Sequence, residues 1–263
     1  MSSSFAVFIG ALRENRRRVM LWFVAMFVVC AMYAAWYPLM RDSGKDLVQS
    51  LPQDVIKAFN WEDVVTAPGY LTSTIFALIA PGLASVFAIG LGAKIVAGEE
   101  EDGTLELELT APVARHSLVL QRVLALWMST FIVVAAVCAT SLLQVGVLRL
   151  DVSVENVLAG SAGLLLLVMG FGTVALAAGA MTGRRGIGLG IGSAVAVLSY
   201  MLNSVGEVLQ ADWMLTVSPF AWFLGARPLF DGFDWTSLAA LAAVSIVAAA
   251  VAVVGYERRN LMT

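Results

Sequence analysis

The sequence predicts an all-α, polytopic membrane protein with six transmembrane helices. Hydrophobic residues make up 60% of its 263 residues, charged residues make up 13%, and the mean hydropathy is +0.86. A soluble domain carries about 25% charged residues, so roughly half of the expected charge is missing. The apolar residues also gather into six runs, each with the length of about 20 residues that a helix needs to cross a bilayer.

The six runs follow one another with polar segments between them. In chain order they are Val19–Leu39, Tyr70–Val96, Val123–Leu148, Val157–Met181, Gly186–Gly206 and Thr236–Tyr256. Both cysteines, Cys30 and Cys138, fall inside runs and are expected to pack there rather than to form a disulfide. The first run has no small-residue cleavage site, so we expect an uncleaved span. Residues 1–263 are thus expected to form a single transmembrane domain.

The distribution of basic residues predicts the orientation. Six spans put both termini on one side, and placing that side in the cytoplasm gives the cytoplasmic segments eleven of the 16 lysines and arginines. These are Arg13, Arg16, Arg17, Arg18, Lys94, Arg115, Arg122, Arg184, Arg185, Arg258 and Arg259, against Arg41, Lys45, Lys57, Arg149 and Arg227 outside. Because lysine and arginine are enriched in cytoplasmic segments, both termini are expected in the cytoplasm.

The N-terminal residues 1–18 are expected to form an amphipathic helix. Phe5, Phe8, Ile9 and Leu12 repeat at helical spacing and are followed by a cluster of arginines. Such a helix suits the cytoplasmic headgroup layer of the membrane. A frayed tail is the alternative.

The outer segment 210–235, between the fifth and sixth runs, is rich in aromatic residues. It is broken by Pro219, Gly225 and Pro228. Aromatic rings favour the membrane interface, so a re-entrant pair of short helices that dips into the outer leaflet is expected. A flat interfacial belt remains the alternative.

Glycines in and around the fourth and fifth runs form pairs four residues apart. The pairs are Gly179 with Gly183, Gly186 with Gly190, and Gly188 with Gly192. Small residues at this spacing let helix backbones approach closely in lipid. We expect them to pack within one subunit in preference to forming a dimer face.

The most informative polar segment lies between the second and third runs, on the predicted cytoplasmic side. Residues 97–115 read AGEEEDGTLELELTAPVAR and concentrate carboxylates in a short interruption of the apolar sequence. The alternation from Leu105 to Leu109 is compatible with a strand, but a strand would leave unpaired edges, so a short helix that stops at Pro112 is favoured. An ordinary solvated loop is the alternative.

This segment resembles the cytoplasmic signature of ABC type-2 transporter permeases, in which the pattern A-G-E-E-x-x-G-T-L-E-L-L-L-x-x-P-V-x-R recurs. The matching residues are Ala97, Gly98, Glu99, Glu100, Gly103, Thr104, Leu105, Glu106, Leu107, Leu109, Pro112, Val113 and Arg115. The plan of the chain is also similar, with an amphipathic N-terminal helix, six spans, the signature after the second span and a broken segment before the sixth.

The resemblance implies that residues 97–117 are a coupling segment, which docks on a separate ATP-binding cassette ATPase. The residues expected to make this contact are Glu99, Glu100, Gly103, Thr104, Leu105, Glu106, Leu109, Pro112 and Arg115. Glu108 stands where the pattern usually has leucine, which suggests a basic or polar lining in the matching groove. The resemblance also implies two ATPase copies, a homodimer or heterodimer of permease subunits, and a multi-pass location in the plasma (inner) membrane of a prokaryote.

The sequence contains no G-x-x-x-x-G-K-[ST] loop, so no nucleotide is expected on this chain, and ATP and Mg are expected on the partner ATPase. With one histidine, His116, and no H-E-x-x-H pattern, neither a metal site nor an enzyme is expected, and the small net charge of −3 offers no surface for nucleic acid.

Three polar residues inside the runs, Gln144, Ser199 and Asn203, are candidates for a substrate path. Interhelical hydrogen bonds are the alternative role for Gln144 and Asn203. No charged residue lies in the core of a run, so amphipathic or lipid-like cargo, or a neutral molecule, suits the path better than an ion.

The expected function is therefore that of the permease subunit of an ABC exporter. A membrane-embedded binding or signalling subunit that engages an ATPase without moving cargo is the alternative. A secondary carrier is a more distant one, since the sequence shows no internal repeat.

Overall fold

The fold was taken from a computed structural model, which describes residues 6–41, 52, 55, 56, 61, 63–98, 101 and 115–258. Within these residues the regular structure is helical and no strand occurs, which confirms the all-α fold class. Six helices are long and apolar enough to cross a membrane, namely Ala6–Arg41, Ala67–Gly98, His116–Leu148, Val154–Thr182, Arg185–Leu209 and Trp235–Arg258. We call them the first to the sixth span, and each contains the run predicted for it.

The first span differs from expectation at its N-terminal end. A single regular helix runs over Ala6–Ala35, so the described part of residues 1–18 is not a separate interfacial helix but the start of the span. No glycine or proline lies between Ala11 and Ala35 to end the helix. At 1.5 Å per residue it is about 45 Å long, which exceeds the roughly 30 Å of a hydrocarbon core. The helix therefore extends beyond that core at one end or at both.

The residues that the first turns of this helix bury inside the protein lie beside the predicted apolar face. The buried residues repeat every four positions and pack mainly towards the third span: Val7, Ala11, Asn15 and Val19. Ile9, on the predicted apolar face, is exposed. The backbone N–H of Phe8 donates to Oε1 of Gln121 on the third span at 3.1 Å, which fixes the N-terminal turns against that helix.

The second span is irregular at both ends of its central α-helix Ala80–Ala93. Pro81 has no N–H to give to the carbonyl of Ala77, and in a regular helix its ring would clash with that carbonyl. The preceding stretch Leu71–Ile79 is widened into a π-helix, in which the N–H of Ala80 reaches back to the carbonyl of Ile75. A second π-helical stretch, Lys94–Gly98, leads into residues 97–115, which we call the signature segment. π-helical stretches are rare in proteins, and those that occur often lie at functional sites.

The second and fourth spans form the centre of the bundle and are the most buried of the six. They approach so closely that a Cβ atom on Gly92 would collide with the backbone carbonyl oxygen of Gly172. The fifth span joins this contact, since a Cβ atom on Gly188 would lie 2.7 Å from the carbonyl oxygen of Ala175. Only glycine at these positions allows the three backbones to pack this closely.

The glycine pairs thus divide between two faces. Gly188 and Gly192 pack against the fourth span, which supports the predicted role within one subunit. Gly186 and Gly190, on the same helix, have no atom within 4 Å of an added Cβ. They therefore face away from the described part of the bundle.

The outer segment returns into the bundle as three short helices, one more than the predicted pair. They are Asp212–Val217, Pro219–Gly225 and Pro228–Asp231. The hydroxyl of Ser218 donates to the carbonyl of Ser199 at 2.7 Å, and Ser199 lies ten residues before the C-terminal end of the fifth span at Leu209. Ten helical residues correspond to about 15 Å. This depth supports the re-entrant interpretation over a flat belt.

Aromatic packing holds this segment in place. Phe220 stacks on Phe171 of the fourth span with ring centroids 6.0 Å apart and meets the edge of Tyr200 of the fifth span at 5.3 Å. Phe223 is buried against Gly163, where an added Cβ would come within 2.7 Å of its ring. Trp213 and Trp235 remain exposed at the margins of the segment.

Candidate functional site

The signature segment is described only at its two ends. Residues 99, 100 and 102–114 lie outside the described residues, and so do most of the predicted ATPase contacts: Glu99, Glu100, Gly103, Thr104, Leu105, Glu106, Leu109 and Pro112. The backbone of the remaining contact, Arg115, begins the third helix. The structure therefore gives the geometry of the contacts that attach this segment to other spans. We call these contacts anchors.

The first anchor is the end of the second span. Ala97 and Gly98 are buried, and a Cβ atom on Gly179 of the fourth span would lie 3.2 Å from the Cβ of Ala97. Nζ of Lys94 lies 3.2 Å from Oε1 of Glu14 on the first span. The start of the segment is thus packed against the fourth span and paired with the first.

Glu101 forms the second anchor, and it is a residue that the sequence interpretation did not select. Its Oε1 accepts the backbone N–H of Arg185, the first residue of the fifth span, at 3.0 Å. The first N–H groups of a helix have no partner within the helix and favour a carboxylate. The preceding residue, Arg184, gives no side-chain cap, and Glu101 supplies one from a distant part of the chain. The sequence signal for this role was that Arg184, the residue before the fifth span, provides no side-chain cap of its own.

The third anchor lies where the segment ends. Nδ1 of His116, the second residue of the third helix, lies 3.4 Å from Oε1 of Glu257 in the last turn of the sixth span. Both side chains are largely exposed, so the pair contributes at most about 1 kcal/mol to stability. The pair matters because it joins the start of the third helix to the end of the sixth span.

Arg122 was counted among the cytoplasmic basic residues, and the structure corrects that assignment. It lies within the third span and is 1% exposed. Among the described residues, Arg122 is the largest side chain that is fully buried. The neighbouring Gln121 is also buried, accepts the N–H of Phe8 and donates to the hydroxyl of Ser117 at 3.1 Å. A charged group inside a helical bundle is costly and marks a functional position by default. Sequence reasoning missed it because the apolar run starts one residue later.

The three candidate path residues are not brought together. Nε2 of Gln144 donates to the carbonyl of Cys30 at 3.0 Å, which joins the third span to the first. The hydroxyl of Ser199 accepts the N–H of Phe220 at 3.0 Å and so helps to hold the outer segment. Asn203 is 2% exposed one turn further along the fifth span. The third and fifth spans make no extensive contact with each other, so Gln144 is separated from the other two.

The bundle instead offers an apolar groove of about 810 Å³ over the fourth span, between the fifth and sixth. It extends from Thr182, at the C-terminal end of the fourth span, to Trp222 in segment 210–235. Its walls are small and aliphatic, with Ala178, Ile191 and Ala243 among them. The volume falls within the range of small-molecule sites, about 300–1,000 Å³.

Six helices of membrane-crossing length in one bundle define a polytopic integral membrane protein, and the family comparison places it among transport permeases. Residues 5–257 match the family described as "Multidrug efflux system permease Rv1217c, C-terminal domain", and the chain belongs to this family. A search of curated proteins gave no match.

Proposed function

We propose that the chain is the permease subunit of an ATP-driven exporter and that residues 97–117 dock on a separate ATPase, which binds ATP and Mg. The single observation that carries the proposal is the attachment of both ends of this segment to other spans. Its start meets the fifth span through Glu101 and Arg185, and its end meets the sixth through His116 and Glu257.

Through these contacts, a displacement of the segment would also move other spans of the bundle. The second span and the third continue directly from its ends, while Glu101 and His116 add lateral contacts to the fifth and sixth spans. The pair of Lys94 with Glu14 extends the route to the first span. Since exposed pairs are each worth little energy, they set the relative positions of the helix ends and can be rearranged at low cost.

In the proposed assembly, two permease chains, identical or different, bind two copies of the ATPase. ATP binding closes the ATPase dimer and pushes the two coupling segments together. The first, fifth and sixth spans, which are less buried than the second and fourth, tilt around that centre. The π-helical stretch Lys94–Gly98 lies where the pushed segment joins the centre and provides a deformable connection. Both termini are placed in the cytoplasm and the chain in the plasma membrane of a prokaryote.

The proposed cargo consists of apolar or amphipathic molecules that partition into the membrane, exported as the family's description as a multidrug efflux permease suggests. The groove over the fourth span supports this class, because its lining is almost entirely apolar and it opens to the side. A molecule dissolved in lipid can enter such a groove without crossing water.

The test is co-purification of the candidate ATPase with the double variant Glu106→Lys, Leu109→Asp. A carboxylate at position 109 would be buried unpaired in an apolar contact at a cost of several kcal/mol, and each 1.4 kcal/mol is about tenfold in affinity. We expect loss of the ATPase at unchanged membrane expression, with Glu62→Lys in the outer loop as a control that retains it. If the double variant keeps its ATPase and its transport as the control does, the segment is a solvated loop and the proposal fails.

Stimulation of ATP hydrolysis by a transported dye separates the proposal from the signalling alternative. A complex that binds the ATPase, shows no stimulation and moves no dye would favour a non-transporting subunit. The purified permease alone is expected to hydrolyse no ATP.

A further inference from the structure

The apolar groove over the fourth span has the length of about one membrane leaflet. Its lining residues on the sixth span run from Ala240 to Val251, which are eleven residues apart. At 1.5 Å per residue this distance is about 16 Å, and half of a hydrocarbon core is about 15 Å thick. The groove therefore matches a single hydrocarbon chain that reaches from the headgroup level to the centre of the membrane.

The sixth span places an arginine beyond one end of the groove. Val247 and Val251 line the groove, and Arg258 follows Val247 by eleven residues, or three helical turns, on the same face of the helix. A Cβ atom on Gly255 would collide with the side chain of Met181, which also lines the groove. This close packing holds the last turn of the sixth span beside the end of the groove.

The fifth span places a second arginine at the same end. Arg184 precedes this helix by one residue and lies two turns before the lining residue Ile191, on the same side of the helix. Its backbone N–H donates to Oγ1 of the lining residue Thr182 at 3.4 Å, and Gly183, with φ of 66°, completes the tight turn between them. The long apolar stem of an arginine lets its guanidinium reach along such a surface to the headgroup level.

These two guanidinium groups are available to a ligand. Both side chains are exposed, and neither makes a hydrogen bond or an ion pair within the part of the chain that the structure describes. The carboxylates of Glu101 and Glu257, at this end of the bundle, are engaged with a helix N-terminus and with a histidine. At the other end of the groove lies Trp222, whose indole N–H donates to the carbonyl of Thr216 at 2.8 Å.

An apolar groove that ends between two arginines matches an anion with a hydrocarbon tail. Guanidinium groups pair with carboxylate and phosphate oxygens through two donors at a time. We infer that the groove binds an anionic lipid of the cytoplasmic leaflet, with one acyl chain along the fourth span and its headgroup at Arg184 and Arg258. The inference deepens the proposed function, on which it rests for the orientation and for the use of the groove, and it makes anionic acyl lipids the class of cargo.

Photolabelling of the purified permease, without an ATPase, tests the inference. The protein is placed in phosphatidylcholine nanodiscs with a trace of photoactivatable phosphatidylglycerol or phosphatidylcholine, both with the same diazirine-bearing chain. Labelling is read in residues 174–182 and 240–251 relative to the exposed face of the first span. We expect phosphatidylglycerol to label the groove about 2- to 30-fold more than phosphatidylcholine, as two exposed charge contacts allow.

The double variant Arg184→Gln, Arg258→Gln should lose this preference and keep the labelling by phosphatidylcholine, which reports that the groove is still folded. The matched control Arg17→Gln removes an exposed arginine of the first span and should keep the preference.

Equal labelling of the groove by the two lipids in the wild type would overturn the inference. A parallel fall for both lipids in the double variant would also overturn it, because the arginines would then act on packing. The outcome is separable from that of the proposed function. A lost preference with intact ATPase co-purification counts against the lipid site alone, whereas a clear preference in a permease that binds no ATPase counts against the exporter alone.

Discussion

Nδ1 of His116 lies 3.4 Å from Oε1 of Glu257, so the residue that follows the signature segment touches the last turn of the sixth span. The two residues are far apart in sequence, and no local preference brings them together. Third-span residues one to two turns further along are buried, including Gln121 and Arg122, so His116 marks the exposed margin of a packed helix end. In the proposed mechanism, a displacement of the segment is passed to the sixth span at this margin.

Replacing Glu257 with glutamine should therefore weaken coupling with little effect on folding. The exposed pair is worth about 0.2–1 kcal/mol, which corresponds to a roughly 1.5- to 5-fold slower efflux of a hydrophobic fluorescent dye if all of it is lost from the rate-limiting step. ATPase co-purification should be unchanged, because residue 257 lies outside the docking segment. The readout is dye efflux per assembled complex.

The exchanged pair His116→Glu, Glu257→His restores the contact and should recover much of the efflux, whereas Glu207→Gln in the fifth span serves as the control. Efflux in Glu257→Gln equal to that of the wild type would show that the contact transmits nothing.

The close contact of the second and fourth spans predicts different effects for two glycines in one helix. Gly92→Ala would drive a Cβ into the carbonyl of Gly172, so the spans must separate, and overpacking of this kind costs about 1–3 kcal/mol. Gly90→Ala meets open space and should be neutral or slightly stabilising. The measurement is the fraction of monodisperse protein that remains after heating in detergent. Equal losses for the two variants would mean that this crossing does not limit stability.

The six spans could be predicted from the sequence because an uncharged apolar run of about 20 residues has the length of a bilayer crossing and exceeds most buried helices of soluble domains. The partners of the polar residues could not. Glu101 was visible as part of an acidic run, but its role as the cap of a helix that starts at Arg185 depends on a contact between distant parts of the chain. Arg122 lies one residue before an apolar run, and hydropathy alone does not tell whether the helix buries it.

The N-terminal helix illustrates the same limit. The spacing of Phe8, Ile9 and Leu12 correctly indicated a helix, yet the buried face is that of Val7 and Ala11, because the third span lies on that side. Periodicity identifies an apolar stripe and leaves open what covers it. For the glycines, spacing identified Gly188 and Gly192 together with Gly186 and Gly190, and only the packing distinguishes the inner pair from the outer one.

Asp234 predicts a pH dependence at the start of the sixth span. Hydrogen bonds from the Ser237 hydroxyl at 2.6 Å and from the N–H of Thr236 at 3.0 Å hold the pKa of this carboxyl below its ordinary value of 3.8. A folded-state pKa below the unfolded one stabilises the fold above the ordinary value, and this contribution is lost as the pH falls through the folded pKa. The wild type should therefore lose thermal stability between about pH 5 and 3 more steeply than Asp234→Asn, which keeps a capping oxygen without a titrating charge. Parallel melting curves for the two proteins across this range would contradict the assignment.

Cysteine labelling tests the orientation on which the cytoplasmic assignment of the signature segment depends. In a background with Cys30 and Cys138 replaced by alanine, Ser43→Cys is expected on the outer side and Thr182→Cys, at the exposed end of the fourth span, in the cytoplasm. A membrane-impermeant maleimide added to intact cells should label position 43 and should reach position 182 only after permeabilisation, because ten of the 16 basic residues, without the buried Arg122, favour that orientation. Labelling of both positions in detergent is the control for thiol reactivity. If both are labelled in intact cells, the two sites lie on one side of the membrane. If only position 182 is labelled, the orientation is inverted and residues 97–117 cannot meet a cytoplasmic ATPase.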